Sequence, residues 1–398
     1  MLKEFVREKL ENYVRKYFRT HPKVKLIVVA GSVGKTSTKV AIAEVLKSQF
    51  TVRVDELNRN AELSAPTSIL GIDFPDSQLK NPLAWLGIFR AARAAIRSTK
   101  QPDFIVQEIG TEKIGEIPQF GTYLKPDLCV ISAITPEHME FFDGSMDKVA
   151  KEELTAANFS KKALINSDSV EEKYLKKYLK NPNTVYYNDC PDLALSVIGK
   201  HSRYPLVAAA TVGEMFGVST ANIKKALKEI NPLPGRMNLL RGKNGSLIID
   251  DTFNSSPAAA AAALQALYDM PAKTRVAVLG SMKELGETSK REHEDLAKLL
   301  DPKKLSEVII THDDAVKYLA PAATKRGLKV TVLDDALKIG DYLKDKLTSG
   351  EVLLFKSSYG NIYLEEAIKP LLADPKDARL LPRQFEPWLS RKRQTFNP

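Results

Sequence analysis

The chain has 398 residues, 43% of them hydrophobic and 27% charged, with two cysteines and a formal net charge of +10. That composition excludes a disulfide-framed secreted module, a disordered or collagen-like chain and a protein built on membrane spans, and it leaves room for two or three domains with cores of their own. The positive excess lies mostly in residues 1–25 and 374–398, so the near-neutral body argues against a nucleic-acid-binding face. With no signal peptide and no metal-like cysteine spacing at Cys129 or Cys190, the chain is expected in the cytoplasm.

Residues 2–18 place Leu2, Phe5, Val6, Leu10, Tyr13, Val14, Tyr17 and Phe18 at helical spacing, which predicts an amphipathic helix packed on the domain that follows. The competing reading, a basic helix lying on a membrane surface, is not favoured. Pro22 ends this helix. An apolar run over 24–30 then predicts a strand leading into Gly31-Ser32-Val33-Gly34-Lys35-Thr36-Ser37 and a helix carrying Val40, Ala41, Val45 and Leu46 on one side. Strand, glycine turn and helix N-terminus together form a phosphate cradle: backbone N–H groups and the helix dipole favour an anion there. Lys35 reaches terminal phosphate oxygens, and the Thr36 hydroxyl can ligate the accompanying magnesium. The spacing is a short G-x-x-G-K-T-S form, because Val29 stands where the common pattern has its first glycine.

Residues 51–54 predict a short strand, 58–67 a polar loop closed by Pro66, and 83–98 a helix. Strands follow at 104–106, 127–132 and 163–166. Glu108 lies at the C-terminal end of a parallel strand, the edge that faces the ligand crevice, where it can hold a metal or be an ordinary surface carboxylate. His138 follows the next strand, at the same predicted edge. Lys151 lies on a predicted helix, where a solvated lysine is the commoner fate. Helices are expected from Leu206 to Phe216 and from Thr220 to Glu229, with a domain boundary at Pro234-Gly235-Arg236. Arg236 is a candidate phosphate partner or a surface arginine. Strands at 246–249, 275–279, 307–311, 329–332 and 352–356, with a helix over 257–268, make a second β/α unit, and the polar segment from Asp374 reads as an extended arm. The alternation predicts an α/β protein: a P-loop ATPase-type, doubly wound, mostly parallel sheet, then a smaller Rossmann-like domain. The expected organisation is a helix at 1–22, an ATP-binding domain at 23–235, a Rossmann-like domain at 236–373 and a basic tail at 374–398.

Several of these segments together resemble the Mur ligase family. AGSVGKTS is similar to its ATP loop. FIVQEIGTEKIGEI and KPDLCVISAITPEHMEFFDGSMDKVAKEEL are similar to its metal and carbamyl-lysine region. LPGRMN and IIDDTFNSSPAAAAAAL resemble its hinge and the start of its third domain, while NRNAELSAPTSIL and VAVLGSMKELGETSKREH resemble the branch that adds D-alanyl-D-alanine. The resemblance implies a cytoplasmic, monomeric, ATP-dependent ligase that phosphorylates a carboxylate and lets an amine displace the phosphate. It implies Lys35 on the β/γ-phosphates, Thr36, Glu108 and His138 at up to two magnesium ions, and Lys151 as a carbamate on the second of them. It further implies Lys35, Lys151 and His138 in catalysis, Asp251 on the ribose and Arg236 near the nucleotide. The partners implied are a UDP-linked muramyl peptide or another small carboxylate, an amino acid or dipeptide, and no nucleic acid.

The chain also departs from the family. Only a short segment precedes the first strand, where the family has a UDP-binding domain. The family's G-x-H-N-x-x-N reads Gly199-Lys200-His201-Ser202-Arg203-Tyr204-Pro205, and its KGSRG reads Lys356-Ser357-Ser358-Tyr359-Gly360. A Mur-type ligase on another carboxylate, as in poly-amino-acid or folate-type glutamylation, and a nucleotide-binding scaffold without turnover both stay open.

Overall fold

A computed structural model of the chain describes all residues except 1, 56–58, 75–81, 191, 192, 194, 196 and 397–398. It divides into two compact units. The first comprises Met1–Thr135, Ser145–Ser196 and Arg203–Ile230; the second takes Pro136–Gly144, Val197–Ser202 and Asn231–Pro398.

The first unit opens with α1 (Leu2–Thr20), β1 (Lys25–Ala30), α2 (Lys35–Lys47), β2 (Val52–Val54), α3 (Ser64–Leu70) and α4 (Pro82–Arg97). It continues with β3 (Phe104–Glu108), α5 (Glu116–Gly121), β4 (Leu128–Ile131), α6 (Met146–Asn158), β5 (Ala163–Asn166), α7 (Glu172–Tyr178) and β6 (Thr184–Tyr187), and closes with α8 (Tyr204–Met215) and α9 (Thr220–Glu229). Its sheet runs β2-β3-β1-β4-β5-β6 and every pairing is parallel. β1 lies inside it, which is why Leu26 to Ala30 are apolar on both faces of the pleat. α1 packs on the body through Val6, Leu10, Tyr13, Val14 and Tyr17, while Leu2 and Phe5 stay exposed. The Arg53 guanidinium lies over the Tyr17 ring and donates to its hydroxyl. Among the described residues no helix is long and apolar enough to cross a membrane.

The polar loop expected over 58–67 is shorter than that. Asn58 lies outside the described residues, and from Ser64 the chain is already helical as α3. Pro66 is tolerated in its first turn, where no intrahelical hydrogen bond needs its missing N–H.

The second unit contains β7 (Asn238–Arg241), β8 (Leu247–Asp251), α10 (Pro257–Asp269), β9 (Thr274–Gly280), α11 (Ser289–Leu299) and β10 (Glu307–Thr311). α12 (Ala320–Lys325), β11 (Val330–Val332), α13 (Ala336–Lys344), β12 (Glu351–Lys356) and α14 (Trp388–Phe396) complete it. The order is β11-β10-β9-β12-β8-β7, with β7 antiparallel to β8 at one edge and the other pairings parallel. Its core gathers Val276, Val278, Ile309, Leu353 and Phe355 against Ile339, Leu343 and Leu371.

The C-terminal segment is not an extended arm. It turns through Pro375–Leu380, ends in α14, and buries Leu381, Arg383 and Lys392. The Arg383 guanidinium grips the fully buried Glu365 carboxylate at 2.8 and 2.6 Å, and Lys392 Nζ reaches the same carboxylate at 2.8 Å. Part of the basic excess of residues 374–398 therefore neutralises buried acids.

Candidate active site

Gly31 to Ser37 link β1 to α2 and make the loop that the sequence singled out. Gly31 has φ +119, and a Cβ there would stand 2.7 Å from the Ala133 carbonyl oxygen and the Ser132 Oγ, so the close turn requires glycine. Gly34, at φ +85, caps α2. The loop is braced from behind: Gly31 N–H donates to Glu153 Oε2 at 2.7 Å, Ser32 N–H to the Ala133 carbonyl at 2.8 Å, and Thr135 N–H to Ser32 Oγ at 3.1 Å. These two residues therefore shape the cradle, and their N–H groups do not point at an anion. The anion is left to the first turn of α2, whose N–H groups no intrahelical carbonyl uses. Lys35 curls into the turn and donates to the Gly31 and Ser32 carbonyls at 2.5 and 2.9 Å, so its ammonium is held where a phosphate oxygen can compete for it.

Glu108 closes β3 beside β1, opposite Val29 in the parallel register. Its carboxyl is 1% exposed. Oε1 accepts from Asn60 Nδ2 at 3.0 Å; Oε2 has no hydrogen bond and faces Lys39 Nζ at 3.8 Å. A buried carboxylate oxygen without a donor, beside the phosphate loop, fits a hard cation such as magnesium. Among the described residues no group of three or more His, Cys, Asp or Glu side chains is gathered as a metal site.

Lys151 lies on the exposed face of α6, and its successors are the buried ones. Glu152 accepts from the Gly115 and Ile117 N–H groups ahead of and inside α5, and burial pushes its pKa up against those bonds. Glu153 is the brace on Gly31. Lys39, Glu152, Glu153 and Asn60 were passed over in the sequence because helix charges and loop amides are usually solvated.

The segment of His138 belongs to the second unit, where Nδ1 pairs with the Glu284 carboxylate, which also accepts from the Tyr359 hydroxyl.

In the second unit the turn at 235–237 is clasped to the end of β8. Gly235 N–H donates to Asp250 Oδ2 and Met237 N–H to Asp251 Oδ1, while Phe253 N–H returns to the Gly235 carbonyl. Gly235, at φ +70, has no space for a Cβ against Pro382 and Phe253. Arg236 stacks 4.4 Å over the Phe253 ring. Asp251, the expected ribose acid, forms a buried ion pair with Lys356 at 2.6 Å, and burial lowers the lysine's pKa. Burial raises Asp250 to a pKa of about 7, against the Thr252 hydrogen bond.

The Gly280–Gly286 loop is pinned by fully buried His293, whose Nε2 accepts from Met282 N–H at 3.1 Å while Nδ1 donates to the Ser289 carbonyl at 2.8 Å. That pattern requires the neutral ring, and burial holds its pKa below the ordinary 6.5. Above the unfolded chain's value of 6.5 both folded and unfolded chains carry the ring neutral. Below it the unfolded chain takes up a proton that the folded ring resists, so stability falls as pH drops. The unfolding free energy is expected to decline from pH 7 to pH 5, with a shallower slope in His293→Gln; equal slopes would remove His293 from that dependence.

The family model described as "Mur ligase middle domain" matches residues 29–239, and that described as "Mur ligase, glutamate ligase domain" matches residues 235–359. The UDP-N-acetylmuramoyl-tripeptide--D-alanyl-D-alanine ligase of Bacillus subtilis is 25% identical over 378 residues, covering 88% of this chain and 76% of its own length. That of Rickettsia prowazekii is 27% identical over 313 residues, covering 70% of this chain and 64% of its own length. Among solved structures, a MurF ligase from Thermotoga maritima in complex with ADP superposes with a TM-score of 0.72 at 23% identity, covering 94% of this chain and 84% of that one. A folylpolyglutamate synthase of Mycobacterium tuberculosis complexed with ADP and AMPPCP does so at 0.61 and 14% identity, covering 90% and 94%.

Proposed function

This chain belongs to the Mur ligase family, and from that premise we propose that it joins an amine to a carboxylate at the expense of ATP, with a UDP-N-acetylmuramoyl peptide as acceptor and D-alanyl-D-alanine as amine. A carboxylate is a poor electrophile. Transfer of the terminal phosphoryl group to its oxygen gives an acyl phosphate and ADP. The amine nitrogen then attacks the carbonyl carbon, the bond to the phosphate oxygen breaks, and an amide, phosphate and a proton are left. Positioning and charge neutralisation carry such a step.

In this reading the first turn of α2 and the Lys35 ammonium hold the phosphates, and the Glu153 and Ala133 contacts keep the turn open. Thr36 and Glu108 hold magnesium, which when bound neutralises phosphate charge. Arg236 and Asp251 serve the nucleotide from their own unit. Lys151, with no buried partner group to satisfy, is free to react with carbon dioxide, which would turn it into an anion. His138 keeps its proposed magnesium role, with Glu284 orienting its ring through Nδ1. The chain is taken as a cytoplasmic monomer.

The observation that carries the reading is the braced phosphate loop with, on the neighbouring strand, a buried carboxylate oxygen that accepts no hydrogen bond. The test is release of ADP and phosphate, with the product weighed by mass spectrometry, from ATP, magnesium, UDP-N-acetylmuramoyl-tripeptide and D-alanyl-D-alanine. Release must need both acceptor and amine. Silence with every peptidoglycan precursor pair would overturn the assignment. Glutamate belongs in the amine panel, because the second family model is named for it. ATP binding without product in any pairing would leave a scaffold. Lys151→Ala should lose at least about tenfold in rate and recover part of it with added short-chain carboxylic acids; full activity in the variant would discard the carbamate.

A further inference from the structure

A cavity of about 230 Å³ opens in the first unit between α1 and the start of α5. Arg7 and Glu11 of α1, Glu62 of the loop before α3, and Gln119 and Tyr123 form much of its wall. Gln119 Nε2 donates to Glu11 Oε1 at 2.8 Å, and Arg7 Nη1 reaches Glu62 Oε2 at 3.4 Å. Two donors make no hydrogen bond. The Tyr123 hydroxyl is buried without any hydrogen-bond partner on a side chain only 6% exposed, and Arg7 Nε, also buried, faces Glu11 Oε1 at 3.7 Å. A buried hydroxyl without a partner costs the fold its desolvation, so its retention calls for an explanation. Burial and then Glu11 push the Tyr123 pKa well above the ordinary phenol value, so it remains a donor.

We propose that this cavity binds a small zwitterion, an amino acid or dipeptide carrying both a carboxylate and an ammonium. The Tyr123 hydroxyl and Arg7 donate to the carboxylate; Glu11 and Glu62 accept from the ammonium. A simple anion would face Glu11, Glu62 and Glu116 and a simple cation would face Arg7 and Lys113, so the mixed lining selects against both. The volume equals roughly eight waters, the scale of such a molecule. The cavity is also tied to the phosphate loop. Glu152 of α6 holds Gly115, at the cavity wall, and the adjacent Glu153 holds Gly31. The inference deepens the ligase reading, which needs an amine of this class, yet binding here does not require turnover.

The experiment is calorimetric titration of the full chain with D-alanyl-D-alanine, its N-acetyl form and its C-terminal amide. The free dipeptide is expected to bind, and each blocked form to bind about tenfold more weakly. Tyr123→Phe should weaken the dipeptide about tenfold without lowering the melting temperature of the ligand-free protein, because the hydroxyl it removes had no partner. Glu11→Gln should weaken it as well. Equal binding of the blocked forms, no binding of the dipeptide, or unchanged affinity in Tyr123→Phe would overturn the site. If the ligase reading alone fails, ADP release is absent while these affinity differences persist. If the site alone fails, turnover proceeds and Tyr123→Phe leaves binding untouched.

Discussion

Lys35→Ala is expected to lower ATP-dependent product formation by about two to three orders of magnitude, the scale of losing one charged donor from a phosphoryl-transfer site. The ammonium sits between the Gly31 and Ser32 carbonyls, in line with the first turn of α2. Removing it takes away the one mobile positive charge of the turn and leaves two carbonyl oxygens facing each other. The frame should survive, because Gly31 and Ser32 are held by Glu153 and Ala133, not by Lys35. The melting temperature of the ligand-free protein should therefore stay within a few degrees of wild type while ATP affinity and turnover collapse together. Lys35→Arg should not rescue: a planar fork cannot replace a point charge seated between two carbonyls. ATP affinity unchanged in Lys35→Ala would mean that the turn does not hold phosphate.

The loop was legible because its signal is local. Gly31, Gly34, Lys35 and Thr36 act within one turn, and an apolar run followed by a helical period marks the strand and helix around them. The remaining parts of the site depend on contacts across long stretches of chain. Glu153 and Lys39 are helix charges like any others until the fold sets one against the Gly31 N–H and the other 3.8 Å from Glu108. His138 follows β4 in sequence, yet its segment is counted with the second unit, and its pairing with Glu284 has no local signal. β7 was missed because a four-residue edge strand carries almost no period, and α3 because a proline in a first turn looks like a loop in one dimension. The C-terminal segment was misread for the same reason as Glu153. Composition reports charge, and burial decides whether that charge is solvated.

That segment gives the largest expected effect on stability. Glu365 is fully buried and receives the Arg383 guanidinium on both oxygens and Lys392 on one, while Lys392 also reaches Glu366 at 2.7 Å. Arg383 further donates to the Thr252 carbonyl at 2.9 Å, beyond the end of β8. Glu365→Ala leaves the buried Arg383 without its carboxylate and Lys392 with Glu366 alone, and should cost about 3–5 kcal/mol. Arg383→Ala leaves Glu365 still paired with Lys392 and should cost less, about 2 kcal/mol. The double variant should be less unstable than the two losses added, because Glu365→Ala strands the Arg383 charge that the second change removes. The chain's two tryptophans allow the second unit to be followed alone: Trp388 lies on α14, so denaturation read by its fluorescence in a Trp85→Phe background reports the unit that holds the network. Strict additivity, or losses within about 0.5 kcal/mol of zero, would mean that the segment from Asp374 rests on the surface, and that its ion pairs contribute no more than exposed ones do.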